Sequence, residues 1–450
     1  MIRIICKENN LLEKRYLFDV IFIEFLGIEY ELIIKPQEKN YVIELANNKK
    51  IIIEDHFWNK IKGNELSYID EKFLPSKISY AKNKFLCEND LPVLYGGTEI
   101  SAEKDTIKCS IDIFATIFFF LSRWEEYISK DRDIFERFKF ENSISFKFNL
   151  ISRPIVNEIV EFLWNMLKET GFEGDRIKRT FKPIITHDID QPVRLNRLEM
   201  LIKSFGKNLL RYGNIRGAFN DLWIYPLNKF TPKFDPANFY DFLMDASESI
   251  NTKSIFNFQN SKKTKYDWGY NIKSDFIKDV FERIKNRGHI IGYHPGFFTL
   301  DNSELWKLEY EELCNTADYK VLQGRQHYLR FKAPFTWQIW EDNGLEADST
   351  LGYSEQEGFR CGTCYDFSVY NFLTRKKLKL KETPLIFMEV SVINYQGITD
   401  PELYSNKFNN IADIVKKYGG NFVFLWHNSA FDSKLFTKEN YLKNLWYLKE

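Results

Sequence analysis

Three apolar runs of this chain end in histidine or aspartate: "IITHDID" at 184–190, "HIIGYHPG" at 289–296 and "FVFLWHNS" at 422–429. Carboxylates and neutral imidazoles gathered at one place can hold a divalent ion with an open position, where a bound water ionises near neutral pH. They can also serve as general base and general acid. Side chains alternate along a strand, so Asp188 and Asp190 share a face with Ile184 and Thr186, while His187 points the other way with Ile185. The two carboxylates can therefore meet one ion or one water, and His294 is the first choice for the histidine that joins them. Taken singly, each run also has an ordinary reading, as solvated acids at a loop entrance or a histidine capping a strand. Their joint occurrence points to a site.

Segments this far apart in the chain converge only if a fold brings the strand ends together. From residue 183 onward, short apolar strands alternate with longer helical stretches, among them "FYDFLMDASESI", "SIFNFQ", "SDFIKDVFERIKNRG", "LIFMEV" and "NIADIVKKYGG". That alternation predicts βα units around a parallel sheet or barrel, whose active sites form at the carboxyl ends of the strands. Ahead of it, "LFDVIFIEFLG", "YELIIKP", "NYVIEL" and "KIIIED" read as short strands. A helix apolar nearly all round follows at "SIDIFATIFFFLSRWEEYI", then an amphipathic one at "RPIVNEIVEFLWNMLKETG" that stops at a glycine. The expected organisation is a smaller α+β domain over 1–165, a charged, Pro-terminated linker over 166–182, and an α/β domain over 183–450.

Composition narrows the classes of partner. A chain of 450 residues with 44% hydrophobic content can build two ordinary cores. Lys+Arg and Asp+Glu both total 63, which removes any bulk electrostatic case for a nucleic-acid or membrane partner. The longest apolar run, "IFATIFFFL" at 113–121, is far shorter than the roughly 20 residues of a membrane helix, so no membrane span is expected. The opening residues "MIRIICKENN" lack the features of a secretory signal, and a cytoplasmic location is the expectation. Six scattered cysteines do not form a disulfide framework, and Cys361 and Cys364 in "RCGTCYDF" have redox spacing without thioredoxin-type surroundings. No GxGxxG, Walker, HExxH or GxSxG motif occurs, which weakens nucleotide-dependent, zincin and serine-hydrolase readings.

These motifs, in this order, resemble those of the polysaccharide deacetylases of the NodB-homology class, carbohydrate esterase family 4. "RGHIIGYHPG" at 287–296 is similar to the family motif that carries the first histidine ligand, and "THDID" to its aspartate motif. "RFKAPFTW" at 330–337 looks like its Arg/Pro/aromatic motif, and "FLWHNS" at 424–429 like its last, ending in the general-acid histidine. The resemblance spans about 181–448 and implies a distorted (β/α) barrel with Asp188 as base, Asp190 and His294 as metal ligands and His427 as acid. Two departures stand out. Phe298 occupies the place where a second histidine ligand is expected, which leaves that place to His187, His427, Asp188 or water; the expected metal set is Asp190, His294 and His187. The family's arginine aligns with Lys332, while Arg330 sits two residues earlier on the same strand face, and either could hold Asp188 ionised.

The resemblance further implies a divalent metal, zinc first among them, and hydrolysis of an acetyl group from an N-acetylated or O-acetylated sugar. Residues 1–165 resemble the accessory domain of a bacterial subgroup through "LPVLYGG", "DIFATIFFFLSRWEEY" and "RPIVNEIVEFL", which implies a setting in surface-polysaccharide assembly beside other glycan-assembly enzymes. An inactive carbohydrate-binding or scaffolding protein with the same barrel is the alternative that Phe298 would permit, and hydrolysis of a non-sugar amide is a third. The stretch 345–367 reads as a substrate-facing loop in which Asp348 and Arg360 bind substrate or brace the loop by a salt bridge. Lys332 and Trp337 are candidate substrate contacts; Trp337, with Trp340, Tyr353 and Tyr365, either stacks on sugar faces or packs a core. His289, at a strand entrance, reads as structural. Basic clusters at 203–217 and 374–381 would attract a lipid- or nucleotide-linked sugar, or are simply solvated faces.

Overall fold

Hydrogen bonding gathers most strands into two sheets in this computed structural model, which describes residues 2–211, 213–431 and 437–449. The first sheet is built from β1 (Ile2–Cys6), β2 (Tyr30–Ile34), β3 (Asn40–Glu44) and β4 (Lys50–Glu54). A small ribbon of β5 (Ser79–Ala81) and β6 (Leu91–Val93) intervenes before the sheet is completed by β7 (Gly96–Ala102) and β8 (Thr106–Ile111). Its spatial order is β2-β1-β3-β4-β8-β7, with β1/β2 and β4/β8 parallel and the remaining pairs antiparallel.

The run 17–27, expected as a strand, is helical. An α-helix over Leu11–Phe18 continues as a π-helix over Asp19–Leu26 and stops at Gly27, whose φ of +70° suits a left-handed cap. A run that is apolar on every side shows neither the period of a strand nor that of a helix, so its enclosure decides. Here the segment is buried against both parts of the chain: Phe18 packs edge-on against Tyr41 and Phe114, and Phe25 against Tyr365. The helix Ile113–Ser122 is likewise buried at every residue, and Asp112 caps it by accepting the Ala115 amide.

The second sheet follows the alternation of strands and helices beyond residue 182. Its members are β9 (Lys182–Ile189), β10 (Ile255–Gln259), β11 (Ile290–His294), β12 (Gln323–Gly324) and β13 (Ala347–Asp348). They are joined by β14 (Phe367–Asn371), β15 (Lys376–Glu382), β16 (Phe387–Met388) and β17 (Asn421–Leu425). The order is β14-β15-β13-β12-β11-β10-β9-β17-β16, and every neighbouring pair is parallel except β14/β15. Crossover helices begin where side-chain caps occur: Ser274 before Asp275–Asn286, Asn302 before Ser303–Ala317, and Asp400 with Pro401 at the head of Pro401–Lys417. This is a mixed α/β architecture with a dominant parallel sheet.

The helix Ile155–Glu169 runs into the start of the expected linker, and residues 172–181 carry neither helix nor strand. The parts on either side of it share one continuous apolar cluster. Tyr16 stacks on Tyr370 at 4.7 Å, and Arg375 grips Glu13 through two hydrogen bonds of 2.8 and 2.9 Å. Among the described residues no helix is long and apolar enough to cross a membrane. All six cysteines are free thiols, Cys361 and Cys364 included.

Candidate metal centre and active site

Four strands of this sheet, β11, β9, β17 and β16, and the turn after β12 deliver polar side chains to one cavity of about 400 Å³ at their carboxyl ends. β9 contributes Asp188 from its last turn of the pleat and Asp190 just beyond it, both facing the cavity as period-two alternation requires. Asp188 is buried, and its Oδ1 accepts hydrogen bonds from Asn257 Nδ2 at 2.7 Å and Arg325 Nη1 at 3.1 Å. Burial alone would raise this carboxyl; Arg325, then His294 and His427, outweigh it and hold Asp188 below the usual carboxylate range.

Asp190, His294 and His327 each aim one ligand atom at a common point, all within 4.8 Å of one another. His294 Nε2 lies 3.1 Å and His327 Nε2 3.6 Å from Asp190 Oδ1. The other ring nitrogen of each histidine is engaged from outside. His294 Nδ1 meets the Arg325 carbonyl at 2.6 Å, and His327 Nδ1 meets Asp267 Oδ1 at 2.8 Å. The Arg325 carbonyl can only accept, so His294 Nδ1 carries the hydrogen and its Nε2 presents a lone pair to the common point. His327 Nδ1 sits between the Asp267 carboxylate and Gln259 Nε2 at 2.9 Å, and its donation to Asp267 turns the Nε2 lone pair to the same point. Asp190 Oδ1 is shielded from solvent and has no hydrogen-bond partner there. An orphaned carboxylate oxygen facing two imidazole lone pairs is a donor set that fits a divalent cation. The field there favours positive charge: burial opposes charge on His294, yet Asp188 and Asp190 outweigh burial and hold the imidazole above its ordinary value, so a proton and a metal ion compete for His294 Nε2.

Across the cavity His427 follows β17. Its Nδ1 and its backbone amide both donate to Glu389 Oε1, at 2.7 and 2.8 Å, and its Nε2 points toward Asp190 Oδ2 at 3.9 Å. Burial disfavours the charged ring, but Glu389, with Asp190 and Asp188 behind it, prevails and pushes His427 up to about 10. A carboxylate held ionised and an imidazole held protonated thus flank the three convergent donors. The rim is aromatic, with Tyr266, Trp268, Tyr328 and Tyr395, and Arg137 reaches it from the first part of the chain.

The structure brings Asp188, Asp190, His294 and His427 together and places other expected residues elsewhere. His187 projects from the opposite face of β9, where Nδ1 donates to the Trp426 carbonyl at 2.8 Å and Nε2 sits 3.3 Å from Ser254 Oγ; burial depresses it to about 3. The third converging donor is His327, supplied from the turn after β12, and Phe298 is half exposed on the turn Phe297–Thr299. Arg330 lies over the Phe297 ring at 3.8 Å and pairs with Glu136 at 2.7 Å, away from Asp188. Lys332 makes an exposed pair with Asp301, so the cation that reaches Asp188 is Arg325.

Trp337, Asp348 and Arg360 are buried and do not line the cavity. Trp337 Nε1 donates to Glu382 at 2.9 Å, Asp348 Oδ1 accepts the Thr350 amide at 3.1 Å, and Arg360 clasps Glu126 through Nε at 2.9 Å and Nη2 at 2.7 Å. Sequence reasoning missed His327, Arg325, Glu389 and Asn257. The segment "QGRQHYL" held a signal, a scarce histidine two residues from an arginine, but β12 contributes only two strand residues and no apolar run announces it.

Residues 2–172 match a family described as a family of unknown function, DUF7033. No curated protein matches the chain. Among solved structures, the chain is similar to a protein from Mycobacterium smegmatis described as a polysaccharide deacetylase, at 12% identity and a TM-score of 0.38, over 59% of this chain and 83% of that one. It is also similar to the chitin deacetylase of Colletotrichum lindemuthianum, at 14% identity and a TM-score of 0.30, over 60% and 84% of the two chains. At these scores no residue-level correspondence follows, and the chemistry rests on the site's own geometry.

Proposed function

We propose that this protein is a metal-dependent hydrolase that removes an acetyl group from an N-acetylated or O-acetylated sugar. One observation carries the reading: Asp190, His294 and His327 present three convergent donor atoms between an ionised Asp188 and a protonated His427. A divalent ion bound by those three residues, zinc being suited to two imidazoles and a carboxylate, supplies Lewis-acid polarisation and eases ionisation of water. Asp188, oriented by Asn257 and Arg325, accepts the proton of the attacking water. The new C–O bond forms at the acyl carbon as the C–N bond breaks, and His427 Nε2 gives its proton to the departing nitrogen. Glu389 holds the His427 ring at Nδ1 throughout, fixing which nitrogen faces the substrate.

A cavity rimmed by Tyr266, Trp268, Tyr328 and Tyr395 supports a sugar substrate, since flat rings with polar tips stack on pyranose faces. The wider setting belongs to the same proposal: an accessory domain over 1–165, a linker, and a distorted deacetylase-type barrel engaged in surface-polysaccharide assembly. Six unpaired thiols suit a reducing compartment and support a cytoplasmic setting.

The test is metal analysis of the purified protein together with acetate release from N-acetylated chitooligosaccharides and acetylated nucleotide sugars. Near-stoichiometric zinc and acetate release are expected, with Asp188→Asn lowering kcat by roughly a hundredfold to ten-thousandfold while metal content stays level. A metal-free protein that releases no acetate from any of these substrates would return the protein to a binding or scaffolding role.

A further inference from the structure

The segment 194–234, between β9 and β10, wears many of its apolar residues on the outside. It folds as the helix Leu198–Gly206, a π-turn Lys207–Arg211 and the helix Ile215–Leu227. Along the first helix and its extension, Leu198, Ile202 and Leu209 recur at helical spacing and are exposed, while Met200, Leu201 and Ser204 face inward. On the second helix, Ile215, Phe219, Leu222, Trp223 and Leu227 form one stripe that faces solvent, and the residues it buries are Ala218 and Asp221. An ordinary surface helix turns its apolar stripe inward. Leu210, Trp223 and Phe230 are 86%, 75% and 88% exposed, and with the stripes they concentrate in one segment apolar surface of the kind that monomeric soluble proteins rarely leave open to water.

Charge identifies what covers it. The whole chain is neutral, yet residues 194–234 hold eight Lys or Arg and two acids, Glu199 and Asp221. Lys203, Arg216, Lys229 and Lys233 are exposed among the apolar residues. A Trp, Phe and Leu surface rimmed by lysine and arginine is complementary to the headgroup and upper acyl layer of an anionic bilayer, where apolar side chains insert and cations meet phosphate. A protein partner for the same face would have to combine a large apolar surface with a strongly acidic rim, and a second copy of the chain would bring like charges together.

We infer that the described residues of 194–211 and 213–234 form a docking surface that seats this protein on an anionic lipid bilayer. The seat adjoins the cavity: Lys207 lines it, and Arg197 Nη2 holds the carbonyls of Trp268, another lining residue, and Gly269 at 2.8 and 2.7 Å. Docking therefore brings the cavity mouth to the membrane surface, and, resting on the hydrolase reading above, its substrate is a glycan carried on a lipid there.

The test uses the full chain and no substrate. Co-sedimentation is measured with vesicles of phosphatidylglycerol mixed equally with phosphatidylethanolamine, and with phosphatidylcholine alone. Binding to the anionic vesicles is expected to be on the order of tenfold tighter or more, and to weaken as salt is raised. Leu210→Ser, Trp223→Ser and Phe230→Ser combined should abolish it with an unchanged melting temperature, since those side chains touch little of the protein. The charge variant Arg216→Glu, Lys229→Glu and Lys233→Glu should do the same. Equal binding to both vesicle types, no binding at low salt, or a dimer in sedimentation velocity that the serine variant dissociates would each overturn the inference. Acetate release from a soluble oligosaccharide, unaffected by the serine variant, separates failure of docking from failure of the catalytic reading.

Discussion

Arg325 Nη1 lies 3.1 Å from Asp188 Oδ1, and the carbonyl of the same arginine accepts the Nδ1 hydrogen of His294 at 2.6 Å. One residue thereby positions both the proposed base and a proposed ligand. Its remaining nitrogens are spent on the Ser349 carbonyl and hydroxyl, each at 2.8 Å, so the guanidinium has a single orientation. Arg325→Lys keeps a charge and loses the fork. Asp188 would then be held less far below the carboxylate range, and the acid limb of the kcat/KM profile moves to higher pH. Turnover falls roughly tenfold to a hundredfold with KM little changed. An acid limb that stays in place while turnover falls would assign Arg325 to the scaffold alone.

The donor set separates His327 from His187. His327→Ala is expected to strip metal from the protein during dialysis, and Asp267→Asn, which replaces the charged acceptor of His327 Nδ1 with a neutral amide, to weaken metal affinity by about tenfold to a hundredfold. His187→Gln should leave metal content intact, because that ring faces Trp426 and Ser254. Titration with a chelator reads all three, and metal loss on changing His187 alone would refute the assignment.

Arg360 predicts a loss of stability where a substrate contact would predict a loss of affinity. Its guanidinium and the Glu126 carboxylate are both buried, with Arg123 on the same carboxylate at 2.8 Å. Removing one member leaves buried charge uncompensated, so Arg360→Met should cost about 3–5 kcal/mol in urea unfolding with KM unchanged. A raised KM with an unmoved unfolding midpoint is the contrary result.

Glu309 supplies a pH dependence away from the cavity. Burial, reinforced by Asp267, raises its carboxyl to about 7 despite the hydrogen bond it accepts from the Gly296 amide at 2.9 Å. A folded-state value above the unfolded one means that the proton is bound more tightly in the folded chain. The associated stability is present below the unfolded value and is lost as pH rises through about 7. Glu309→Gln retains an oxygen acceptor and removes the titration, so its advantage over the parent grows between pH 5 and pH 8, reaching roughly 2–3 kcal/mol. Parallel stability curves for the two proteins across that range would contradict it.

Read from the sequence alone, the site was half visible, and the split has a physical cause. Period-two alternation in a regular strand is enough to put Asp188 and Asp190 on one face, and long apolar runs ending at His294 and His427 announce strand tips in a parallel sheet. The same alternation fails across "GRQHYLRFK". Tyr328 and Leu329 adopt left-handed φ values of 60° and 54°, the chain turns, and no strand rule can say which of Arg325, Arg330 or Lys332 faces Asp188. Glu389 was hidden in the same way behind a two-residue strand.

By itself the sequence determined the alternation of strands and helices after 183, the paired aspartates and two of the histidines, because those follow from periodicities that local chemistry imposes. Only the tertiary structure decided that His187 looks away, that His327 completes the donor set in place of Phe298, and that 17–26 coils into a helix. Each of those outcomes depends on which distant surface covers a residue. Burial between two packed layers is a property of the whole chain and leaves no period in any one segment of it.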